Sequence, residues 1–456
     1  MVKIKKTNKN MILIVLTMSQ ILLCLFMALF YNRTFCTIIS LIILFLSFVI
    51  IKVANGSVFT FVSLVLILSY ILHMGTYVAT ELFKYRDNFL DFDRKTTCTA
   101  ILFVSLCHVA LTMGSVIKFK KRRKIKSLIR FQVTEKILNN VGTFCTILGI
   151  FPRIYIDINQ IRLQMSGDYL KSLAQIRQYG WISVLAQFFY VGILILIFTS
   201  NRNKIRGRVI LLSTCIWEVV TMLSGGRIYA ISFILAMLYV YCIRVEKPNI
   251  KQCMLIGIFV YILCLVMSTI ATIRRTGGFS YEILWQSVTS SFGENNPILK
   301  MLVEMGGTMK SVIFSMDNFP SYSEYAYGKS YIESIVSLIP FFGEKITNIN
   351  HMIYIYNFKV SSYMGGSWLG EAYYNFSWFG CVYCYILGRV IGKFEALIKE
   401  DEHNGNYINS IIILSFIFYI ITYMRDYFVR FTTPIQVCLV VLFFAYCIKN
   451  IQRVKK

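Results

Sequence analysis

Met11-Ile-Leu-Ile-Val-Leu-Thr-Met-Ser-Gln-Ile-Leu-Leu-Cys-Leu-Phe-Met-Ala-Leu-Phe-Tyr31 carries no charged side chain and follows a start bearing Lys3, Lys5, Lys6 and Lys9. About 20 apolar residues in a helix cross the hydrocarbon core of a bilayer. No small-x-small cleavage site follows the run, so it reads as a retained first helix rather than a removed signal peptide. The lysines before it place the N-terminus in the cytoplasm.

Working outward from this helix, the same criterion predicts further spans at 35–53, 58–80, 98–118, 137–156, 181–199, 209–223, 229–243, 253–273, 377–397, 407–424 and 432–448, about twelve in all. The stretch 209–243 reads as either a short hairpin or a re-entrant pair, joined at Leu223-Ser-Gly-Gly-Arg227. The expectation is an all-α polytopic membrane protein. Residues 1–274 form a membrane domain of nine helices, 275–376 a large, partly helical extracytoplasmic loop, and 377–456 the last three spans. Alternating placement puts the basic blocks 118–126, 201–208, 244–251 and 449–456 on the cytoplasmic side with both termini.

Composition agrees. Of 456 residues, 57% are hydrophobic and only 15% charged, where soluble domains carry about 25% charged residues. The net charge of +25 would suggest nucleic acid in a soluble chain, but here it follows from the positive-inside bias. The thirteen cysteines sit almost all in or beside apolar segments, and none lies between 275 and 375. A disulfide framework in the outer loop is therefore not expected. Cys381 and Cys384 have CxxC spacing inside an apolar run with no partner pair, which argues against redox or zinc chemistry.

Within the loop, 297–316 and 329–342 have helical apolar spacing but are too short or interrupted to span, and read as interfacial helices. No nucleotide-binding, metalloprotease or serine-hydrolase motif occurs. Asp91-Phe-Asp93 resembles an acidic metal-binding pair, but Arg94 and Lys95 follow at once, so no metal site and no cofactor is expected.

Charged residues instead gather at the outer ends of spans: Arg153 with Asp157 nearby, Arg227, Arg274, Arg275, Arg425, Asp426 and Arg430. A guanidinium presents a fork of donors matched to phosphate oxygens, so arginines at headgroup depth suit a lipid diphosphate, although arginines there also anchor to lipid phosphate. Glu371 lies behind three glycines in Met364-Gly-Gly-Ser-Trp-Leu-Gly-Glu-Ala-Tyr-Tyr-Asn-Phe376 and is either a helix cap or a general base. His351, the one histidine of the loop, is a second candidate base. Glu218 inside a predicted span is either a functional carboxylate or a partner for Arg227.

The span layout, the late outer loop, Leu223-Ser-Gly-Gly-Arg227 and Gly365-Gly-Ser-Trp-Leu-Gly-Glu-Ala-Tyr-Tyr-Asn-Phe376 together resemble the Wzy-type repeat-unit polymerases of O-antigen and capsule synthesis. The resemblance implies a metal-independent glycosyltransferase of the bacterial plasma membrane. Undecaprenyl-diphosphate-linked oligosaccharides would be donor and acceptor, with membrane lipids, a chain-length regulator and a flippase of the same pathway as partners, and no nucleic acid. It carries Arg227 and Glu371 as site residues with their motifs. His351 joins them as a catalytic candidate, and Arg153, Arg274, Arg275, Arg425, Arg430, Trp368 and Asn375 as substrate-binding candidates. Two alternatives stay open: a ligase of related layout moving finished glycan from the same lipid to another acceptor, and a non-enzymatic flippase or transporter of lipid-linked oligosaccharide. The concentration of charge at the outer face, with spans nearly free of it, favours chemistry over transport.

Overall fold

The computed structural model describes residues 6–85, 92–117, 131–165, 180–222, 227–247, 296–339 and 365–454, with isolated positions between 249 and 289. Every regular element among them is helical. In order they are α1 (Lys6–Ala28), α2 (Arg33–Asn55), α3 (Phe61–Tyr77, extended by a π-helical turn Val78–Leu82), α4 (Arg94–Val116), α5 (Glu135–Met165), α6 (Trp181–Phe198), α7 (Lys204–Thr221), α8 (Arg227–Arg244), α9 (Pro297–Gly306), α10 (Met309–Asn318), α11 (Lys329–Val336), α12 (Trp368–Phe376), α13 (Gly380–Ile391), α14 (Phe394–Asn404), α15 (Ile408–Tyr423) and α16 (Thr432–Val454).

Eight helical stretches among the described residues are long and apolar enough to cross a membrane: Lys9–Ala28, Arg33–Asn55, Phe61–Leu82, Arg94–Val116, Glu135–Leu163, Trp181–Phe198, Arg227–Arg244 and Phe428–Ile451. Four of the expected twelve spans are not among these eight described stretches. The expected span 377–397 is divided: a 3-10 turn Ser377–Phe379 precedes α13, and Gly392-Lys393 separates α13 from α14. α7 begins with Lys204, Arg206 and Arg208, which leaves a short apolar remainder. α15 has 16 residues. Most of 253–273 lies outside the described residues, as does the basic block 118–126.

The chain folds as two compact units, each assembled from separated segments. The first contains Met1–Leu128, Leu302–Ala396 and Tyr423–Thr432. Its frame is α1 to α4, with α13 lying along α4. Backbone meets backbone at that seam. A Cβ added at Gly114 would fall 2.1 Å from the Tyr385 carbonyl oxygen, and one at Gly388 would fall 2.1 Å from that of Leu111. Helices in lipid associate through such small-residue contacts because lipid tails are as apolar as leucine.

Helices α9 and α10 pack against protein along one face. A Cβ on Gly75 of α3 would sit 2.5 Å from the Leu302 carbonyl oxygen, and the Thr76 hydroxyl donates to Val303 O at 2.9 Å. Met309, Ser311, Val312, Ile313 and Ser315 of α10 are fully enclosed. The helical spacing in this segment therefore reflects packing against protein on that face. Asp93 caps α4, accepting from Lys95 N and Thr96 N.

The second unit contains Ile129–Met301, Leu397–Thr422 and Thr433–Lys456. Here α5 and α6 form the closest pair, and a Cβ on Gly149 would lie 2.2 Å from Phe189 N. Near its ends, Arg244 pairs with Glu402 and Glu135, and its guanidinium lies 4.7 Å from the Phe198 ring centre.

Candidate functional site

In the first unit, Glu371 sits at the start of α12, and the preceding residue Gly370 explains how that helix fits. A Cβ there would fall 2.8 Å from Ser311 Oγ and 2.9 Å from Ser311 O, so only glycine lets α12 press against α10. Ser367 caps the helix by accepting from Gly370 N at 3.0 Å. An oxygen-bearing cap of this kind satisfies one of the free amides at a helix start. Ser315 Oγ then donates to Gly370 O at 3.1 Å.

The Glu371 carboxyl is 1% exposed. Ser330 at the start of α11 donates to Oε1 at 2.8 Å, and the backbone N–H of Phe428 donates to Oε2 at 2.7 Å. Asn375, one turn on, donates to Ser330 Oγ and to Glu371 O, both at 2.8 Å. Rings close the surroundings. Tyr331 stacks on Tyr383 at 4.9 Å and meets Phe428 edge-on at 5.0 Å, while the Tyr383 and Tyr423 hydroxyls are 2.8 Å apart. Burial dominates the acid's titration and pushes it up to about 7, against the two donated hydrogen bonds that favour the anion. The same burial, then the Glu371 charge, push the Tyr331 phenol up. Among the described residues, the Tyr331 hydroxyl and Asn375 Oδ1 are buried without a hydrogen-bond partner.

Phe428 belongs to the turn that carries Arg425, Asp426 and Arg430. Arg430 Nε lies 2.9 Å from Asp426 Oδ2 and its side chain is 56% exposed, while Arg425 is half-buried. The glycines of the 364–376 motif fit this turn. A Cβ on Gly366 would strike Asp426 Cα at 2.7 Å, and one on Gly365 would reach Arg425 Nε at 3.7 Å. The structure thus brings together Glu371, Asn375, Arg425 and Arg430 around one turn. Trp368 is in the same helix but fully buried, and its indole N–H donates to Ser69 Oγ at 3.3 Å.

Arg153 and Arg227 belong to the second unit. Arg153 Nε meets Asp157 Oδ2 at 2.9 Å, and its Nη2 is 3.9 Å from Glu218 Oε2. Its guanidinium lies 4.9 Å from the Tyr190 ring centre, and Trp217 Nε1 donates to Asp157 at 3.1 Å. Glu218 also accepts from Thr221 Oγ1 at 3.2 Å. Arg227 opens α8 and is 7% exposed. Its two preceding glycines, together with Arg274, Arg275 and His351, lie outside the described residues. No group of three metal-ligating side chains occurs among the described residues. Cys107 Sγ lies 3.7 Å from Cys381 Sγ, so the CxxC segment has a neighbouring free thiol that sequence spacing did not suggest.

Sequence reasoning missed Ser330, Tyr383, Tyr423 and the Phe428 amide. Ser330 is 41 positions from Glu371 and Phe428 is 57, so no local pattern joins them. It also passed over Ser367, whose position three residues before an amide it accepts is a readable cap signal.

Apolar helices of spanning length, glycine seams and a buried acid tied to an arginine-bearing turn define a helical, polytopic membrane protein with a buried polar cluster. A family model described as O-antigen polysaccharide polymerase Wzy matches residues 10–456, nearly the whole chain, and the protein belongs to that family. No curated protein and no solved structure matches the chain. As a member of that family it is a bacterial membrane protein of polysaccharide biosynthesis.

Proposed function

We propose that the protein extends surface polysaccharide on the outer face of the plasma membrane by joining oligosaccharide repeat units carried on undecaprenyl diphosphate. An acceptor hydroxyl attacks the donor anomeric carbon. The C1–O bond to the diphosphate breaks, the proton passes to a carboxylate, and the lipid diphosphate leaves as its anion. Glu371 is the general base and Asn375 orients its surroundings. Arg425 and Arg430 offset the charge that builds on the departing diphosphate, while Arg227, Arg274 and Arg275 stay candidates by sequence position. His351 is the alternative base. Arg153 is already engaged with two carboxylates and supports its own unit.

The observation that carries this reading is the bond from Phe428 N–H to Glu371. It fixes a buried carboxyl, titrating near 7, to the turn bearing two arginines. A base whose pKa lies near the working pH combines the right protonation state with useful basicity, and fixed cations aimed at developing charge supply a large electrostatic contribution. No step in the reading uses a metal or a nucleotide sugar.

The test is incubation of purified protein with lipid-linked repeat units in detergent, without metal or nucleotide sugar, followed by gel separation of the glycan. The expected product is a ladder, abolished by Glu371→Ala and reduced about 100-fold by Arg425→Ala. Transfer of finished glycan to another acceptor, with no ladder, would indicate a ligase. Movement of the same lipid across liposomes without any product would overturn the enzymatic mechanism.

A further inference from the structure

Two histidines lie buried in α3 and α4, where polar side chains in a span are expensive and usually functional. His73 Nδ1 is 2.7 Å from the Ser69 carbonyl oxygen, and its Nε2 is 2.8 Å from Ser367 Oγ. A carbonyl oxygen only accepts, so Nδ1 carries the proton. In the neutral ring of that tautomer Nε2 is bare and accepts from the Ser367 hydroxyl. Ser367 Oγ in turn accepts from Gly370 N, the residue before Glu371.

The adjacent residue is held by the same turn of α3. Trp368 Nε1, a donor only, donates to Ser69 Oγ at 3.3 Å, and that hydroxyl also lies 2.9 Å from His108 Nε2. Ser69 therefore grips His73 through its carbonyl and Trp368 through its hydroxyl. Two consecutive residues at the start of α12 are pinned to α3, 294 and 299 positions away in the chain. Every side chain in this relay is buried. Nothing in the local fold of α12 requires a histidine here, because the cap bond from Ser367 would form without it.

We propose that His73 is a positioning residue for Glu371: through the Ser367 hydroxyl it sets the register of the helix start that presents the carboxyl to the Phe428 turn. The inference rests on Glu371 acting as the base. The relay fixes which lone pair of Ser367 faces Gly370, and so the direction in which α12 leaves the cap. A displacement of about 1 Å at a reacting group lowers rate by roughly 100-fold, which is the scale on which such a strap acts.

The experiment compares His73→Gln, His73→Asn and Ser367→Gly in the polymerisation assay, each over a range of pH, with thermal unfolding in detergent as the control. Glutamine places an amide oxygen near the position of Nε2 and keeps the acceptor for Ser367. Asparagine reaches only the Nδ1 position. The expected result is near-normal kcat for His73→Gln and a loss of about tenfold to a hundredfold for His73→Asn, with little change in KM. The rising limb of the pH profile, expected near 7 in the wild type from the Glu371 carboxyl, should move in His73→Asn and stay in place in His73→Gln.

Ser367→Gly removes the hydroxyl while glycine remains an acceptable cap. It should reproduce the asparagine phenotype, and it decides the matter if His73→Asn does not fold. Full kcat and an unmoved profile in Ser367→Gly, or in a folded His73→Asn, would overturn the proposal. Glu371→Gln separates the two inferences: if it retains full activity the general-base reading fails, whereas an inactive Glu371→Gln beside a fully active His73→Asn defeats only the strap.

Discussion

At Glu371, two opposing effects can be separated by mutation. Burial raises the acid to about 7 while the Ser330 hydroxyl and Phe428 amide pull it down. Ser330→Ala deletes one of these stabilising donors, so the acid rises further and the ascending limb of the activity profile moves to higher pH. An unmoved or lowered limb, read from initial rates between pH 5 and 9, would contradict this. Stability follows with a definite sign. The native carboxyl binds its proton more tightly than the unfolded one, whose reference is 4.5, so the native state takes up more protons between about 4.5 and 7. Its contribution is complete below that window and is lost as pH rises through it. A displacement of that size corresponds to about 3 kcal/mol. Glu371→Gln, which cannot ionise, should remove this share of the dependence: its melting temperature falls less steeply from pH 5 to 8 than that of the wild type. Glu371 itself was legible as a carboxylate behind glycines. Its chemistry was not, because the groups that set its titration come from α11 and from the turn before α16.

Among the elements, the glycine seams decide which helices touch. Gly388 on α13 and Gly392, which caps its end, are four apart and lie against Leu111 and Ser115 of α4, with Gly114 answering from the other side. Each contact is with backbone, which has no rotamer to yield. Gly388→Ala places a methyl 2.1 Å from the Leu111 carbonyl oxygen, and overpacking of this kind costs about 1–3 kcal/mol. The variant should melt several degrees lower in detergent or fail to accumulate. Ile386→Ala is the control, because Ile386 on the same helix is 55% exposed and its loss removes little packing. Equal melting temperatures for the two variants would show that the seam is not under compression. Apolar run length was sufficient to find eight of the spans, since that signal lives in consecutive residues. It misjudged 377–397, where a single Gly392-Lys393 step divides one apolar run into two short helices. The packing of α9 and α10 on α3 was not legible, because helical spacing looks the same whether the apolar face meets lipid or protein.

Across the whole molecule, charge placement carries information that no single helix holds. Arginine and lysine cluster in 201–208, 244–251 and 449–456, and the positive-inside bias assigns these to the cytoplasm. The topology we propose from this bias puts the segment that supplies α9 to α12 on the outer side, where a polymer destined for the surface would be made. Impermeant maleimide labelling of introduced cysteines tests this directly. Arg202 has an 87% exposed side chain and makes only a loose 3.9 Å pair with Glu135, so Arg202→Cys disturbs little. Ser321 is exposed in the turn after α10. The native cysteines described are buried or half-buried, which keeps background labelling low. In intact spheroplasts Ser321→Cys should react and Arg202→Cys should react only after permeabilisation. The reverse pattern would invert the topology and move Glu371 and the Arg425–Arg430 turn to the cytoplasmic side. Labelling of both sites in intact cells would mean that an odd number of membrane crossings does not separate them, and that the divided segment around Gly392 must be reconsidered together with 253–273.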